Sequence, residues 1–543
     1  MFNTHTIVEG SERVALPGAR AIGRANPSAV VDVAIKLRRQ KPLPELYAKA
    51  SPPMTRAELA ARHGASQADA DTVVKTLEPF GLTTVGVNLA TRTVQLSGPV
   101  SALESAFDVQ LFNYVHESGN YRGRVGNVHV PAALKDIVEG VFGLDNRRSV
   151  RRRRQPVRDT AIVRAATPSA IPKSWYTPAQ LAAHYQFPPG DGAGQTVGIL
   201  EFGGGYFPAD LQSFCRLCGI EVPPPVKAVS TDGTSTSAKD GAEGEVMLDI
   251  EVVAGVCPKA SIVAYFAHFT TKGWITALDA AVHDQENDPG VISVSWGYAE
   301  LNDIWTTQAV KQVNEALKEA AHIGVTVCVA AGDDGSSDGI TNGRAYADFP
   351  SSSPYALAVG GTTIPVKGGA HPDIVWKEGD GLRQDNGGST GGGESAIFPR
   401  PPWQEAIKIP SVNPHAIAGR VVPDLAANAD WDASPYLLVV DGGAQGNGGT
   451  SAATPLIGAL LTLINQQKVA AGKSRVGFAT PQLYQPQAGA ASGSATVGSL
   501  GCTDVISGNN VTAHAGGYTA GAGYDAASGW GTPIGTKLLT LLP

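Results

Sequence analysis

Six short apolar runs recur after Trp175: TVGILEF (196–202), ASIVAYF (260–266), GVISVSW (290–296), GVTVCVAA (324–331), YALAVGG (355–361) and YLLVVDG (436–442). Helical stretches separate several of them, among them EVMLDIEVVAGVC (245–257), WITALDAAVHD (274–284) and TQAVKQVNEALKEAAHI (307–323). A strand that is apolar on both faces must be covered on both faces. Runs of that kind alternating with helices therefore specify a parallel sheet with helices on each side. This part of the chain, 175–543, is expected to form one large α/β domain, and no solenoid period is evident in it.

The preceding part has a different texture. Residues 29–39 (AVVDVAIKLRR) alternate like a half-buried strand. TRAELAARHG (55–64) and DADTVVKTLEPFG (69–81) read as helices, the second closed by Gly81. TTVGVNLATRTVQLSG (83–98) reads as two strands around a turn, SALESAFDV (101–109) as a helix, and VQLFNYVHESGNYRGRVG (109–126) as a hairpin with Gly-Asn at its tip. PAALKDIVEGVFGL (131–144) is expected to close the set as a helix with Pro131 in its first turn. Mixed elements of this length suggest a small α+β unit over 1–146, with about the first 28 residues read as a disordered lead. Residues 147–174 (RRSVRRRRQPVRDTAIVRAATPSAIPKS) are rich in Arg and Pro and have no sustained period, which reads as an exposed, cleavable linker.

Charge sharpens the division. Lys and Arg number 42 against 49 Asp and Glu, a net −7. Residues 1–170 carry +8 of this and residues 171–543 carry −15. A basic N-terminal unit can therefore be attracted to an acidic C-terminal one. The basic excess sits in one short run and not on an aromatic-studded surface, so nucleic-acid binding is not expected. No apolar stretch approaches the ~18 residues a membrane span needs. The five Cys are too sparse to organise the fold, and Cys215-x-x-Cys218 lacks the second pair of a zinc ribbon, although its disulfide state is not legible. Met1-Phe2-Asn3-Thr4-His5 opens without a readable secretory signal.

Three places could carry chemistry. GGTSAATP (448–455) sets Ser451 among small residues at the start of an apolar helix, where backbone N–H groups face a developing oxyanion. The same string could simply cap a helix. A serine nucleophile needs a base, yet none of the histidines after 175 sits in a Gly-rich strand-to-helix corner. Glu245 and Asp249 lie four apart on a helix, about 40° apart on one face, where like charges favour uptake of a proton. A solvated acidic face is the alternative for that pair. Asp333, in VAAGDDGSSDG (329–339), follows a buried strand, where ligands bind in parallel sheets; a turn-forming Asp would look the same.

Taken together, ILEFGGGY (199–206), GEVMLDIEV (244–252), SVSWG (293–297), VAAGDDGS (329–336), STGGGES (389–395), VPDLAANAD (422–430) and GGTSAATP (448–455) resemble, in that order, the sedolisin family of serine-carboxyl peptidases. The resemblance is to the kumamolisin-like branch in its unprocessed form, and it runs from about residue 29 to Pro543. It implies a subtilisin-like α/β domain preceded by a small ferredoxin-like α+β prodomain that assists folding and covers the cleft. It implies an acid-acting endopeptidase that processes itself, with Ser451 as nucleophile, Glu245 as base, Asp249 as the orienting carboxyl and Asp333 as oxyanion donor. Glu201 and Trp296 match an outer network beside the Glu–Asp pair. Asp348 lies where this branch builds part of the substrate cleft and would favour a basic side chain. Asp504, Val505, Gly521, Gly523 and Asp525 match the family's loop for one structural Ca²⁺. Protein or peptide substrates, the chain's own prodomain in cis, a monomeric state and secretion are expected with it, and neither nucleic acid nor membrane. The alternative is a catalytically silent homologue acting as a binding module.

Overall fold

The structure, a computed structural model, describes residues 5–46, 52–149, 151–152, 163–164, 171–301, 303–365, 372–385, 387–487 and 495–543. The N-terminal unit opens with β1 (His5–Ile7) and β2 (Arg20–Arg24), followed by β3 (Val30–Leu37). Helices α1 (Arg56–His63) and α2 (Gln67–Leu77) lead to β4 (Thr83–Asn88) and β5 (Thr93–Pro99). Then come α3 (Val100–Phe107), β6 (Phe112–Val115), β7 (Tyr121–Gly123), β8 (His129–Pro131) and β9 (Val138–Phe142). The sheet order β4-β5-β3-β9, antiparallel throughout, with helices between β3 and β4 and between β5 and β9, is ferredoxin-like. Local chemistry starts α1: the Thr55 side chain accepts from Glu58 N while the Glu58 side chain accepts from Thr55 N, a reciprocal cap.

Three sequence expectations for this unit need correction. The stretch 131–144 is not a helix: apart from one turn of 3-10 helix at Ala132–Leu134 it becomes β9, an edge strand of the sheet. Its apolar spacing fits either periodicity, but Val138 and Val141 pack well on a pleated surface and Gly140 weakens a helix. The lead is not disordered from residue 5 onward, because β1 pairs with β8 and β2 with β6. The linker does not begin exposed at 147. Arg147 is buried, held by Asp145 and donating to the carbonyls of Val14 and Asp303.

Within the linker, β10 (Arg151–Arg152) and β11 (Val163–Arg164) are each strands paired to the C-terminal domain. That domain contains α4 (Pro178–His184), β12 (Thr196–Phe202), α5 (Pro208–Cys218), β13 (Val226–Ser230), α6 (Glu243–Val256) and β14 (Ser261–Ala267). It continues through α7 (Thr271–His283), β15 (Val291–Val294), β16 (Trp296–Ala299), α8 (Thr307–His322), β17 (Thr326–Ala330), β18 (Asp348–Phe349) and β19 (Leu357–Thr363). After these come β20 (Ile374–Val375), β21 (Lys377–Glu378), β22 (Gly388–Ser389), β23 (Gly393–Pro399), β24 (Gly419–Val422) and β25 (Leu425–Asn428). The hairpin β26 (Tyr436–Val440) and β27 (Gly443–Asn447) precedes the long helix α9 (Thr450–Ala470).

The central sheet runs β13-β14-β12-β15-β17-β19, parallel throughout, with β25 parallel and the short β20 antiparallel on β19. Helices α6 and α9 share one core with one face of the sheet, and α7 and α8 share a second core with the other. Five of the six apolar runs supply strands of this sheet. The sixth, 436–442, does not: it forms the hairpin with β27, and β25 takes the place beside β19. Cys215 and Cys218 are free thiols on α5, and burial pushes Cys215 up to about 11, as inert small hydrophobes would be. Among the described residues no helix is long and apolar enough to cross a membrane.

The two units meet along β3 and β9 on one side and α7 and α8 on the other. Edge strand β9 finds partners for its backbone in Gln308 of α8, which accepts from Val141 N (3.3 Å) and donates to Val141 O (3.2 Å). Around it lie buried ion pairs, with Lys36 Nζ 2.8 Å from Asp279 and Arg39 3.0 Å from Glu315 and 2.5 Å from Glu319. Arg92 donates to Glu139 (3.0 Å) and Gln312 (3.2 Å), and His283 is 2.8 Å from Glu319. Most of these cations come from the N-terminal unit and most of the anions from the C-terminal one, the sense of the +8 and −15 split.

Candidate active site

Strand order reverses around β12, whose neighbours β14 and β15 follow it in sequence on opposite sides. In a parallel sheet the crevice beyond the strand ends at such a point is where ligands bind. Glu201 closes in at the C-terminal end of β12, Ser295 and Trp296 follow β15, and Asp333 follows β17. The first turn of α9 brings Ser451, and α6 packs against α9 with Glu245 and Asp249. Glu201, Glu245, Asp249, Asp333 and Ser451 are all fully buried in this unprocessed chain.

The approach of α9 is set by glycines. Gly449 caps the helix at φ 94°, a left-handed backbone that favours glycine, and a Cβ on Gly448 would lie 2.4 Å from Ala429 O. Four residues after the serine, Pro455 sits inside the helix. Proline has no N–H, so the carbonyl of Ser451 loses its helical partner. The hydroxyl of Ser295 fills that gap at 3.2 Å, and the same hydroxyl lies 2.8 Å from Asp249 Oδ1. One hydroxyl proton cannot serve both. With Asp249 protonated the donors balance: Asp249 donates to Ser295 Oγ, and Ser295 donates to Ser451 O. Ser451 Oγ in turn lies 3.4 Å from Ser295 O.

Electrostatics favour that protonation. Burial, with Glu201 and Glu245 close by, pushes the Asp249 carboxyl well above the usual range. Burial and Glu245 likewise push Glu201 well up, although Trp296 Nε1 donates to it at 3.1 Å. Three carboxyls packed this tightly cannot all ionise and must hold protons between them. On the other side of Ser451, Asp333 Oδ1 accepts from Thr450 N (2.8 Å) and from Thr450 Oγ1 (2.6 Å), which fixes the carboxyl at the mouth of the helix. Four of the described histidines are engaged elsewhere: His184 with Asp373, His268 with Asp232, His283 with Glu319 and His322 with the Pro44 carbonyl.

The structure thus brings together Ser451, Glu245, Asp249, Glu201, Trp296 and Asp333. It adds two residues that no expectation named, Ser295 and Thr450. Thr450 is adjacent to the nucleophile in the motif, and Pro455 was the sequence signal for a carbonyl that would need an outside donor. Asp348 is buried on β18, opposite Ala299 of β16, so it lies one strand from the Trp296 edge. The other edge of β16 carries β10, with Arg151 opposite Gly297 and Arg152 opposite Trp296.

Near the C-terminus, the five residues expected to hold a metal come from two segments that meet, 504–505 and 521–525. Asp504 Oδ2 accepts from Gly523 N (2.8 Å) and Asp525 Oδ2 from Gly521 N (3.1 Å), with Val505 buried beside them. Asp525 Oδ1 is held by the amides of Ala527 and Ser528 (both 2.9 Å). Two carboxylates and the carbonyls of a glycine-rich turn are an oxygen donor set that fits a hard cation such as Ca²⁺.

Comparison with known proteins gives two family matches: Pro-kumamolisin, activation domain, over residues 17–147, and Subtilase family over residues 231–479. Kumamolisin of Bacillus sp. (strain MN-32) is 41% identical over 99% of this chain and 96% of its own length. Sedolisin of Pseudomonas sp. (strain 101) is 28% identical over 94% of this chain and 86% of its own. Human tripeptidyl-peptidase 1 is 31% identical over 62% of this chain and 57% of its own. Among solved structures, Pseudomonas sedolisin, a serine-carboxyl proteinase in complex with pseudo-iodotyrostatin, superposes with a TM-score of 0.56 at 29% identity. That match covers 67% of this chain and 97% of the sedolisin chain.

Proposed function

Since the chain belongs to the kumamolisin-like branch of the sedolisin family, as a peptidase zymogen carrying its own prodomain, we propose that it is an acid-acting endopeptidase whose catalytic residues are Ser451, Glu245, Asp249 and Asp333. The observation that carries the proposal is the group of buried carboxyls, Glu201, Glu245 and Asp249, set behind a serine at the sheet's switch point. Ser451 Oγ attacks the scissile carbonyl and its proton passes to Glu245. Asp333, protonated, donates a hydrogen bond to the oxyanion of the tetrahedral intermediate. The C–N bond then breaks, the leaving amine takes the proton from Glu245, and water hydrolyses the acyl-enzyme by the same steps in reverse. Asp249 orients Glu245 and is itself held through Ser295. Glu201 with Trp296 keeps the carboxyl group supplied with a proton.

An oxyanion donor that is a carboxyl must stay protonated, and an ordinary Asp titrates near ~3.9, so turnover belongs in acid. We expect kcat/KM on a quenched peptide to peak near ~pH 3–5, and a peak at or above neutrality would contradict the assignment. Self-processing follows from the same site. The linker lies on β16 as β10 and on β27 as β11, so chain already occupies both sides of the crevice. Full-length Ser451→Ala should keep its prodomain in acid while the wild-type chain loses it. Removal at the wild-type rate in pure Ser451→Ala would refute self-cleavage. We assign the 504–525 loop to one structural Ca²⁺, Asp348 to the substrate cleft as a partner for a basic side chain, and the working enzyme to an acidic setting outside the cell, as a monomer acting on proteins or peptides.

A further inference from the structure

A second carboxyl pair lies close to the crevice without belonging to the catalytic group. Glu378 ends β21, which pairs with β22 so that Glu378 is opposite Gly388 and Lys377 opposite Ser389. Ser389 N donates to Asp333 O at 3.0 Å, and Gly391 N to Gly332 O at 2.7 Å, so this hairpin is bonded directly to the segment that carries the oxyanion donor. Asp430 belongs to the turn after β25, on the other side. Ala429 N donates to Thr362 O (2.8 Å) and Ala429 O accepts from Gly449 N (2.6 Å), which fastens that turn to the cap of α9 just before Ser451.

Asp430 is tied at both oxygens. Oδ1 accepts from Asp432 N and Ala433 N (both 2.8 Å), and Oδ2 accepts from Thr363 Oγ1 (2.7 Å). Glu378 accepts from Trp376 Nε1 at 3.1 Å and is hydrogen-bonded to Asp430. Two carboxyl groups can hydrogen-bond to each other only if one carries a proton. The acid groups facing Glu378 are Asp430 and Asp432, while its neighbour Lys377 is turned to Asn509 (3.2 Å). Trp376 and Trp431 cross edge-to-face with centroids 4.6 Å apart, and Asp430 is buried while Glu378 is half-buried.

We propose that Glu378 and Asp430 are positioning residues that share one proton, and that this bond clamps the hairpin behind Asp333 to the turn behind Gly449, fixing the distance between oxyanion donor and nucleophile. The role rests on the catalytic assignment above. Its chemistry suits acid: burial first, then Asp430, pushes Glu378 up to about 8, so the bond is intact throughout an acidic working range. The sign is that of a raised carboxyl. Its contribution is complete below the ordinary ~4.5 and is lost as pH rises through about 8.

The test compares Glu378→Ala and Glu378→Gln in the full-length chain after acid activation. Gln keeps a donor for Asp430, whereas Ala removes it. We expect Glu378→Ala to lower kcat about tenfold with KM within about twofold, and Glu378→Gln to recover most of the loss. In a Ser451→Ala background, which cannot process itself, the melting temperature should fall between pH 5 and 8.5 by more in the Glu378 chain than in the Glu378→Gln chain. Unchanged kcat in Glu378→Ala, or Glu378→Gln as impaired as Glu378→Ala with a parallel melting profile, would overturn the proposal. A wild-type chain that cleaves no peptide would instead remove the catalytic assignment and the positioning role with it, while the melting comparison would still decide whether the proton is shared.

Discussion

Ser295 shows how a site is completed by a residue with no chemistry of its own. The proline four positions after Ser451 leaves a carbonyl without a helical donor, and Ser295 answers it while touching Asp249. Ser295→Ala would strand both groups in a buried setting, where an unpaired polar atom costs about 1–3 kcal/mol. We expect kcat/KM to drop about 10–100-fold with KM nearly unchanged, since the lost bond aligns the base and does not bind substrate; steady-state kinetics in acid would measure it. Ser295 was not legible as a functional residue because it sits inside GVISVSW, where a small hydroxyl looks like any strand residue. Ser451, Glu245, Asp249 and Asp333 stood out as candidates only as an ordered set of motifs, each having an ordinary structural explanation by itself.

At the scale of elements, periodicity served well where one face is wet and poorly where none is. Helix α6 is buried along nearly its whole length, so it shows no apolar stripe, and the Glu245–Asp249 spacing was what marked its candidate face. The stretch 131–144 misled because Leu134, Ile137, Val138 and Val141 fit a helix by spacing, while the decisive influence was the open edge of β3 and the side chain of Gln308. The loop around Asp504 and Asp525 gives an element-level prediction. Asp504 accepts from Gly523 N and Asp525 from Gly521 N, so the proposed Ca²⁺ would be held between carboxylates that the loop already orients. Chelation should lower the melting temperature by a few degrees, Ca²⁺ should restore it, and Asp504→Asn should remove the difference; a chelator with no effect on the wild-type chain would contradict the site.

The whole molecule is held in its latent arrangement by a buried ionic seam. Lys36, only 2% exposed, reaches Asp279, and Glu319 receives Arg39, Arg92 and His283. Burial alone would raise the Glu319 carboxyl, but Arg39, then His283 and Arg92, hold it well below the usual range. A depressed carboxyl contributes stability above its ordinary ~4.5 and loses it as pH falls through the lowered value, so the seam weakens in acid. Protection factors along β3 and β9 in the Ser451→Ala chain, taken against the intrinsic exchange rate at each pH, should fall from pH 6 to pH 3. Lys36→Ala leaves Asp279 buried and unpaired, which costs about 3–5 kcal/mol, and the prodomain of that variant should come off at higher pH than in the wild type. The +8 and −15 split of the sequence made this seam foreseeable in sign but not in place, because only the fold decides which of the many charges face one another.

The strand pairings at the two ends of the linker, β10 on β16 and β11 on β27, have a consequence for how latency scales with quantity. While 153–162 joins them, the prodomain competes for the crevice at the effective concentration of a tethered group, in the millimolar range for a short linker, whatever the amount of enzyme present. A single cut inside that stretch turns the same contacts into an ordinary complex between two molecules, whose occupancy depends on dilution. Enzyme released into a large volume would then stay on, whereas the same cut chains held at high concentration would remain partly silenced by their own severed prodomains.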